Sequence, residues 1–280
     1  MMRRFAFFLV LLGMFGCDDG SEKVRFDKPS DFERVFVVDR GNYRYLRFGS
    51  PDGANQSIVS LSNPGAVPSR YIRIAALGAV MTPKLDRMLM LGLGGGTYAT
   101  LLRRHFPELV IDAVEIDPVV VEAAKGFFRV KEDERFRIHV QDGAKFIRET
   151  PGAYDLVFLD AYSGEGLPRD LSSPAFFDAV RAKVADRGVV VLNLFKQRSR
   201  EQSLLDIFQA RFPHTACIRT SDDLNLVVFG KTAAMPSRTE LTAAARRLAE
   251  ASKLPFDLGI IAEDLKLNCT GTFPCRGLPP

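Results

Sequence analysis

Apolar positions along this 280-residue chain fall into two regimes. From residue 32 to 61 they come in short runs at 35–38, 43–48 and 57–61, separated by turn residues such as Ser50-Pro-Asp-Gly53. Alternating apolar and polar residues in Tyr43-Arg-Tyr-Leu-Arg-Phe48 predict a half-buried strand, and the three runs together predict a small antiparallel β subdomain. Asn63-Pro-Gly65 and Pro68 end it, and residues 71–80 read as a helix leading into Pro83. Beyond that point the pattern changes. Apolar runs at 88–91, 110–114, 136–140, 156–159, 188–194, 214–218 and 224–229 read as strands buried on both faces. Segments with helical periodicity, at 97–106, 118–127, 143–149, 174–185 and 200–212, lie between them. Strands alternating with crossover helices predict an α/β fold built on a doubly wound, mostly parallel seven-stranded sheet. The last two strands, close together around 220–223, predict an antiparallel pair at the sheet edge, and 239–251 a terminal helix. The boundaries that follow are 1–17 signal-type segment, 18–31 polar tether, 32–80 β subdomain and linking helix, 81–235 main domain, and 236–280 C-terminal helix and tail.

Composition adds limits. With 46% hydrophobic and 26% charged residues the chain is an ordinary globular protein with material for a sizeable core. Its net charge of +4 is spread along the sequence, which excludes a nucleic-acid footprint. At the N-terminus, Met1-Met-Arg-Arg4 precedes an apolar or glycine run from Phe5 to Phe15, followed by Gly16-Cys17. The run is too short to span a bilayer but fits the apolar region of a secretory signal. A small residue before a cysteine at its end resembles a bacterial lipoprotein signal, with lipidation of Cys17 tethering the protein to a membrane outside the cytoplasm. Met14 stands where such signals usually carry leucine. An uncleaved anchor on the cytoplasmic face is the alternative. Cys269 and Cys275 close a turn-rich loop that suits a disulfide in an oxidising compartment. His105, His139 and His214 are scattered and read as surface or turn residues, so no metal site is expected.

The chemistry is concentrated at the ends of the predicted strands. Leu89-Met-Leu-Gly92-Leu-Gly94-Gly95-Gly96-Thr97 is an apolar strand running into a glycine loop and then a helix. Glycines there let a ligand approach main-chain amides. Glu115 ends the next strand at the distance in sequence from which a carboxylate reaches a ribose edge across a βαβ unit. Asp142-Gly143 follows the third strand, where a carboxylate can meet an adenine amino group. The fourth strand ends in Asp160, at the edge where ligands sit in open α/β sheets. A carboxylate in that place suits orienting an amine nucleophile and accepting its proton. The following residues, 163–168, have the composition of a loop that closes over a substrate.

Taken together, Gly92–Thr97, Glu115-Ile-Asp-Pro118, Asp142-Gly143 and the segment from Asp160 to Pro168 resemble the spermidine synthase family of aminopropyltransferases. More closely, they resemble the bacterial spermidine-synthase-like proteins often fused to transporter segments. The resemblance runs from about Phe32 to Gly230. It implies a Rossmann-like S-adenosylmethionine-methyltransferase fold behind a β-strand domain, with decarboxylated S-adenosylmethionine or S-adenosylmethionine as co-substrate. The reaction implied is aminopropyl transfer to a small amine such as putrescine. By the same resemblance Glu115 would bind ribose, Asp142 adenine, and Asp160 would be the catalytic carboxylate. Gln56, Tyr71, Tyr162 and Ser163 would line the substrate site, and a dimer would form through the N-terminal strands. Three departures stand out: Gly95 replaces an aspartate of the family's glycine loop, Ser163 its second loop aspartate, and Ile72-Arg73 its His-Glu pair. Two other readings therefore stay open, an S-adenosylmethionine-dependent methyltransferase and a nucleoside-binding scaffold without turnover.

Overall fold

The computed structural model describes residues 21–161, 168–195 and 201–267. Cys17, Tyr162, Ser163, Cys269 and Cys275 lie outside the described residues. The first sheet contains β1 (Glu22–Lys28), β2 (Val35–Arg40), β3 (Tyr43–Phe48) and β4 (Asn55–Ser60), antiparallel in that order. β1 corrects the expectation of a polar tether at 18–31. Its charged residues belong to an edge strand: Arg25 pairs with Asp39 at 2.7 Å, while the Phe26 ring meets Phe127 at 5.5 Å between centroids. Charge on an edge strand protects it from pairing with another chain, so polarity here did not mean disorder.

The expected single helix at 71–80 is α1 (Arg70–Ala75) followed by a 3-10 turn, Ala76–Val80. This segment packs hard against the main sheet. A β-carbon on Gly78 would lie 2.8 Å from Val191 and 3.0 Å from Leu156.

The main domain runs β5 (Arg87–Leu91), α2 (Thr97–His105), β6 (Val110–Glu115), α3 (Pro118–Phe127), β7 (Phe136–Val140), α4 (Gly143–Glu149) and β8 (Tyr154–Leu159). It continues through α5 (Pro174–Lys183), β9 (Val184–Phe195), α6 (Glu201–Gln209), β10 (His214–Arg219) and β11 (Asn225–Lys231). The chain then adds α7 (Arg238–Ser252), α8 (Leu258–Glu263) and β12 (Lys266–Leu267). The sheet order is β12-β10-β11-β9-β8-β5-β6-β7. β7, β6, β5, β8 and β9 are parallel, and β11, β10 and β12 join antiparallel. The seven expected strands are present, and the two-residue β12 is the eighth. Its brevity leaves no periodic signal in the sequence.

Why these residues form these elements is visible at the helix starts. Asp117 accepts a hydrogen bond from the Val119 amide at 2.8 Å with Pro118 as the first helical residue, and Asp142 accepts from the Lys145 amide at 2.6 Å. Both are helix N-caps separated from the preceding strand by one residue, so each strand end and each helix start is fixed by the same few residues. The small sheet docks onto α3 through Val35, Val37 and Leu46, which pack on Val119, Val120, Ala123 and Phe128. Arg44 clamps that contact, pairing with Asp39 at 2.7 Å and donating to the Phe127 carbonyl at 3.1 Å.

Cys217, fully buried on β10, is disulfide-bonded to a cysteine outside the described residues. No described helix is long and apolar enough to cross a membrane.

Candidate active site

Strand register assembles the site. Leu91 pairs with Val114 on β6 and with Leu159 on β8, so Gly92, Glu115 and Asp160 leave the sheet at one level. Glu115 pairs with Val140, which brings Gln141 and Asp142 to the same edge. Leu159 pairs with Leu192, which sets Asn193 beside Asp160. Alternation along the strands then sends Phe158 and Asp160, Val191 and Asn193, and Val227 and Asn225 to one face. That face is covered by α1, the source of Tyr71.

A cavity of about 390 Å³ opens at this edge. Of the expected ligand-binding residues, Gly92, Gly94, Glu115, Asp142 and Gly143 line it, as do Gln56, Tyr71 and Asp160. Gly95 and Gly96 are not among the lining residues and shape the loop instead. The Gly95 amide donates to Ser57 Oγ at 2.8 Å. A β-carbon at Gly95 would lie 2.8 Å from the Ser57 β-carbon and 2.9 Å from the Phe128 ring. The position that carries an acid in the resembled pattern thus has no space for one. The Ile72-Arg73 departure is equally concrete. Ile72 presents an apolar side chain to the cavity, while Arg73 donates to the Val67 carbonyl at 2.5 Å.

Glu115 ties the glycine loop to the end of its own strand. Its Oε2 accepts from the amides of Leu93 at 2.9 Å and Gly94 at 3.4 Å, and its Oε1 accepts from the Asp117 amide at 3.1 Å. Burial raises its pKa above the usual carboxylate value while the amides oppose that shift. Asp160 is the other buried acid. Burial pushes its pKa up to about 6, against hydrogen bonds from Asn193 Nδ2 to Oδ1 at 2.7 Å and from the Tyr71 hydroxyl to Oδ2 at 3.0 Å.

The described lining holds six acids (Glu33, Glu115, Asp117, Asp142, Asp160 and Asp170) and no lysine, arginine or histidine. Apolar walls come from Phe32, Phe48, Leu91, Leu93, Ile116 and Val120. Such a cavity favours a cationic occupant with a flat or apolar body. Sequence reasoning missed Glu33 and Asp170, which carry no motif, and Asn193 and Asn225. A lone asparagine inside the apolar run 189–194 was the available signal for Asn193. Of the three histidines, His139 is bonded to Asp112 at 2.9 Å on the opposite side of the sheet, and no metal-holding cluster occurs among the described residues.

A parallel sheet with a glycine loop after its first strand, acids at the ends of the next strands and a small antiparallel sheet in front is the architecture of Rossmann-like S-adenosylmethionine-dependent transferases. The family model described as "Spermine/spermidine synthase domain" matches residues 71–220, and the chain belongs to that family. The polyamine aminopropyltransferase of Vibrio vulnificus is 26% identical over 262 residues, covering 91% of this chain and 87% of that protein. The eEF1A lysine and N-terminal methyltransferase of Mus musculus is 32% identical over 172 residues, 56% of this chain but 25% of that protein. Among solved structures, a probable spermidine synthase from Corynebacterium glutamicum superposes with a TM-score of 0.68 at 20% identity, covering 91% of this chain and 99% of that one. Human methyltransferase-like protein 13 in complex with SAH gives 0.62 at 25% identity, covering 67% and 94%.

Crowding at Gly95 has a direct test. Gly95→Ala is expected to lower unfolding free energy by about 1–3 kcal/mol in chemical denaturation. Equal stability of Gly95→Ala and wild type would contradict the steric reading.

Proposed function

We propose that this protein transfers an aminopropyl group from decarboxylated S-adenosylmethionine to a small amine such as putrescine. The observation that carries the reading is Asp160, a buried carboxylate held by Tyr71 and Asn193 on the wall of a cavity lined by acids. Glu115 and Asp142 would hold the ribose and adenine, with Ile116 and Leu93 as apolar walls. The sulfonium supplies the carbon to be transferred. The amine nitrogen attacks the carbon next to sulfur, the carbon–sulfur bond breaks with its electron pair going to sulfur, and the amine proton passes to Asp160. That last role needs the carboxylate ionised. With a pKa of about 6, it is protonated below that pH and competent above it, so the rate should climb through this pH and then level.

The second reading, methyl transfer from S-adenosylmethionine, is favoured by one specific observation. Gly95 has no room for the acid that the resembled aminopropyltransferases carry in this loop. The methyltransferase relatives lend it weight.

Product identity separates the two. Purified protein given decarboxylated S-adenosylmethionine and putrescine is expected to release methylthioadenosine, with an acid limb of kcat/KM at a pH of about 6. Asp160→Asn is expected to lose about 10²–10⁴-fold in kcat. S-adenosylhomocysteine formed only with S-adenosylmethionine and an amine acceptor would favour methyl transfer. Full turnover in Asp160→Asn would remove the catalytic assignment.

The membrane assignment rests on the Arg3-Arg4, apolar, Gly16-Cys17 pattern, and the disulfide at Cys217 supports an oxidising compartment. Mass spectrometry of the mature N-terminus is expected to find a lipidated Cys17. A chain that begins at an unmodified Met1 would contradict the lipoprotein reading.

A further inference from the structure

We infer that Asn225 and Asn193 form an amide chain that positions Asp160 for catalysis, with Asn225 acting only through Asn193. The inference deepens the proposed transferase reading and rests on it for the role of Asp160. Asn225 Nδ2 donates to Asn193 Oδ1 at 3.0 Å, and Asn193 Nδ2 donates to Asp160 Oδ1 at 2.7 Å. Both asparagines lie on the sheet face from which Asp160 projects, and Asn193 is only 3% exposed. The backbone of Asn225 is held by the β10–β11 turn, where its amide donates to Thr220 Oγ1 at 3.0 Å and its carbonyl accepts from the Thr220 amide at 2.9 Å, which places the side chain beside Asn193.

The physical point is the direction of the Asn193 amide. A buried primary amide has two orientations related by a flip, and they present opposite charges to a neighbour. With its oxygen turned to Asn225 Nδ2, Asn193 offers its NH₂ to Asp160 and stabilises the ionised acid. Flipped, it would aim a carbonyl oxygen at a carboxylate and favour the protonated, inactive form. In the structure Asn225 turns its NH₂ to Asn193 Oδ1 while Asp160 takes the Asn193 NH₂, so both neighbours favour the same orientation of that amide. Tyr71 from α1 holds the second carboxylate oxygen and leaves the first to this chain. The other ionisable groups of the described lining are the acids Glu33, Glu115, Asp117, Asp142 and Asp170 and the phenols Tyr71 and Tyr98, with no cation among them to take over the same task.

Replacing Asn225 by aspartate inverts the logic. The introduced carboxylate accepts rather than donates, so it would draw the Asn193 NH₂ away from Asp160. Asn225→Asp should therefore be worse than Asn225→Ala, although it is the closer match in shape. An added negative charge by itself also raises the Asp160 pKa, so Asn225→Ala, which removes the donor without adding charge, is the deciding variant.

The experiment measures the titration of Asp160 by its carboxyl ¹³C resonance in the full protein, identified by its loss in Asp160→Asn. The same variants are followed by the acid limb of kcat/KM and by circular dichroism. Wild type should titrate at a pH of about 6, and Asn193→Ala higher by about half a unit to one unit. Asn225→Asp should lie higher than Asn225→Ala, with KM for the donor nucleoside little changed. Folded variants whose Asp160 titrates at the wild-type pH would overturn the inference, as would Asn225→Asp behaving better than Asn225→Ala. The NMR readout needs no turnover, so an inactive wild type would count against the transferase reading and leave the positioning result to stand or fall separately.

Discussion

Gly92 has no space for a side chain because the backbone of Asp160 and Ala161 passes directly beside it, and its φ of 90° is one that L side chains rarely adopt. That close approach is what brings a glycine loop and a buried acid into one cavity. It is enforced by pairing on both sides: the Gly92 amide donates to the Val114 carbonyl at 2.9 Å, and the Asp160 amide donates to the Leu91 carbonyl at 2.9 Å. Three strands are locked in register at the point where their side chains change from apolar to acidic. The β subdomain then closes the site from the front, with Ser57 bonded to the glycine loop.

The site's electrostatics follow from this packing. Two carboxylates, Glu115 and Asp160, are taken out of water at the sheet edge, and each is compensated by a different kind of hydrogen bond. Glu115 receives backbone amides, which are rigid and shape the loop as much as the charge. Asp160 receives side-chain donors from α1 and β9, which leave it poised at a pKa of about 6. A carboxylate that must cycle between charged and neutral forms is better served by such an intermediate balance than by a fully satisfied anion. The crowding at Gly95 and the apolar Ile72 mark where the chain departs from the resembled aminopropyltransferases, while Gly92, Gly94, Glu115 and Asp142 line the cavity.

Much of the main domain was legible because its strands are buried on both faces and its helices are capped by residues with specific chemistry. Runs such as 156–159 and 136–140 fell where the hydrophobic pattern put them, and Glu115, Asp142 and Asp160 were readable as acids at strand ends. Polar edge structure was not legible. β1 looks like a solvated segment because an edge strand needs charge, and β12 is too short for any period. The acids Glu33 and Asp170 reach the cavity from loops whose path depends on tertiary packing. Asn193 and Asn225 are separated by 32 residues, and only antiparallel pairing of β9 with β11 makes them neighbours. The steric closure of Gly95 also depends on Ser57 and Phe128, which come from distant elements.

The proposed function makes this edge of the sheet a nucleoside site built around Glu115. Calorimetric titration of the purified protein with methylthioadenosine tests it without assuming turnover. Saturable one-to-one binding is expected, weakened by about 10–100-fold in Glu115→Gln through loss of charge-assisted hydrogen bonds, and persisting in Asp160→Asn. No binding by the folded wild-type protein, or equal affinity in Glu115→Gln, would contradict it.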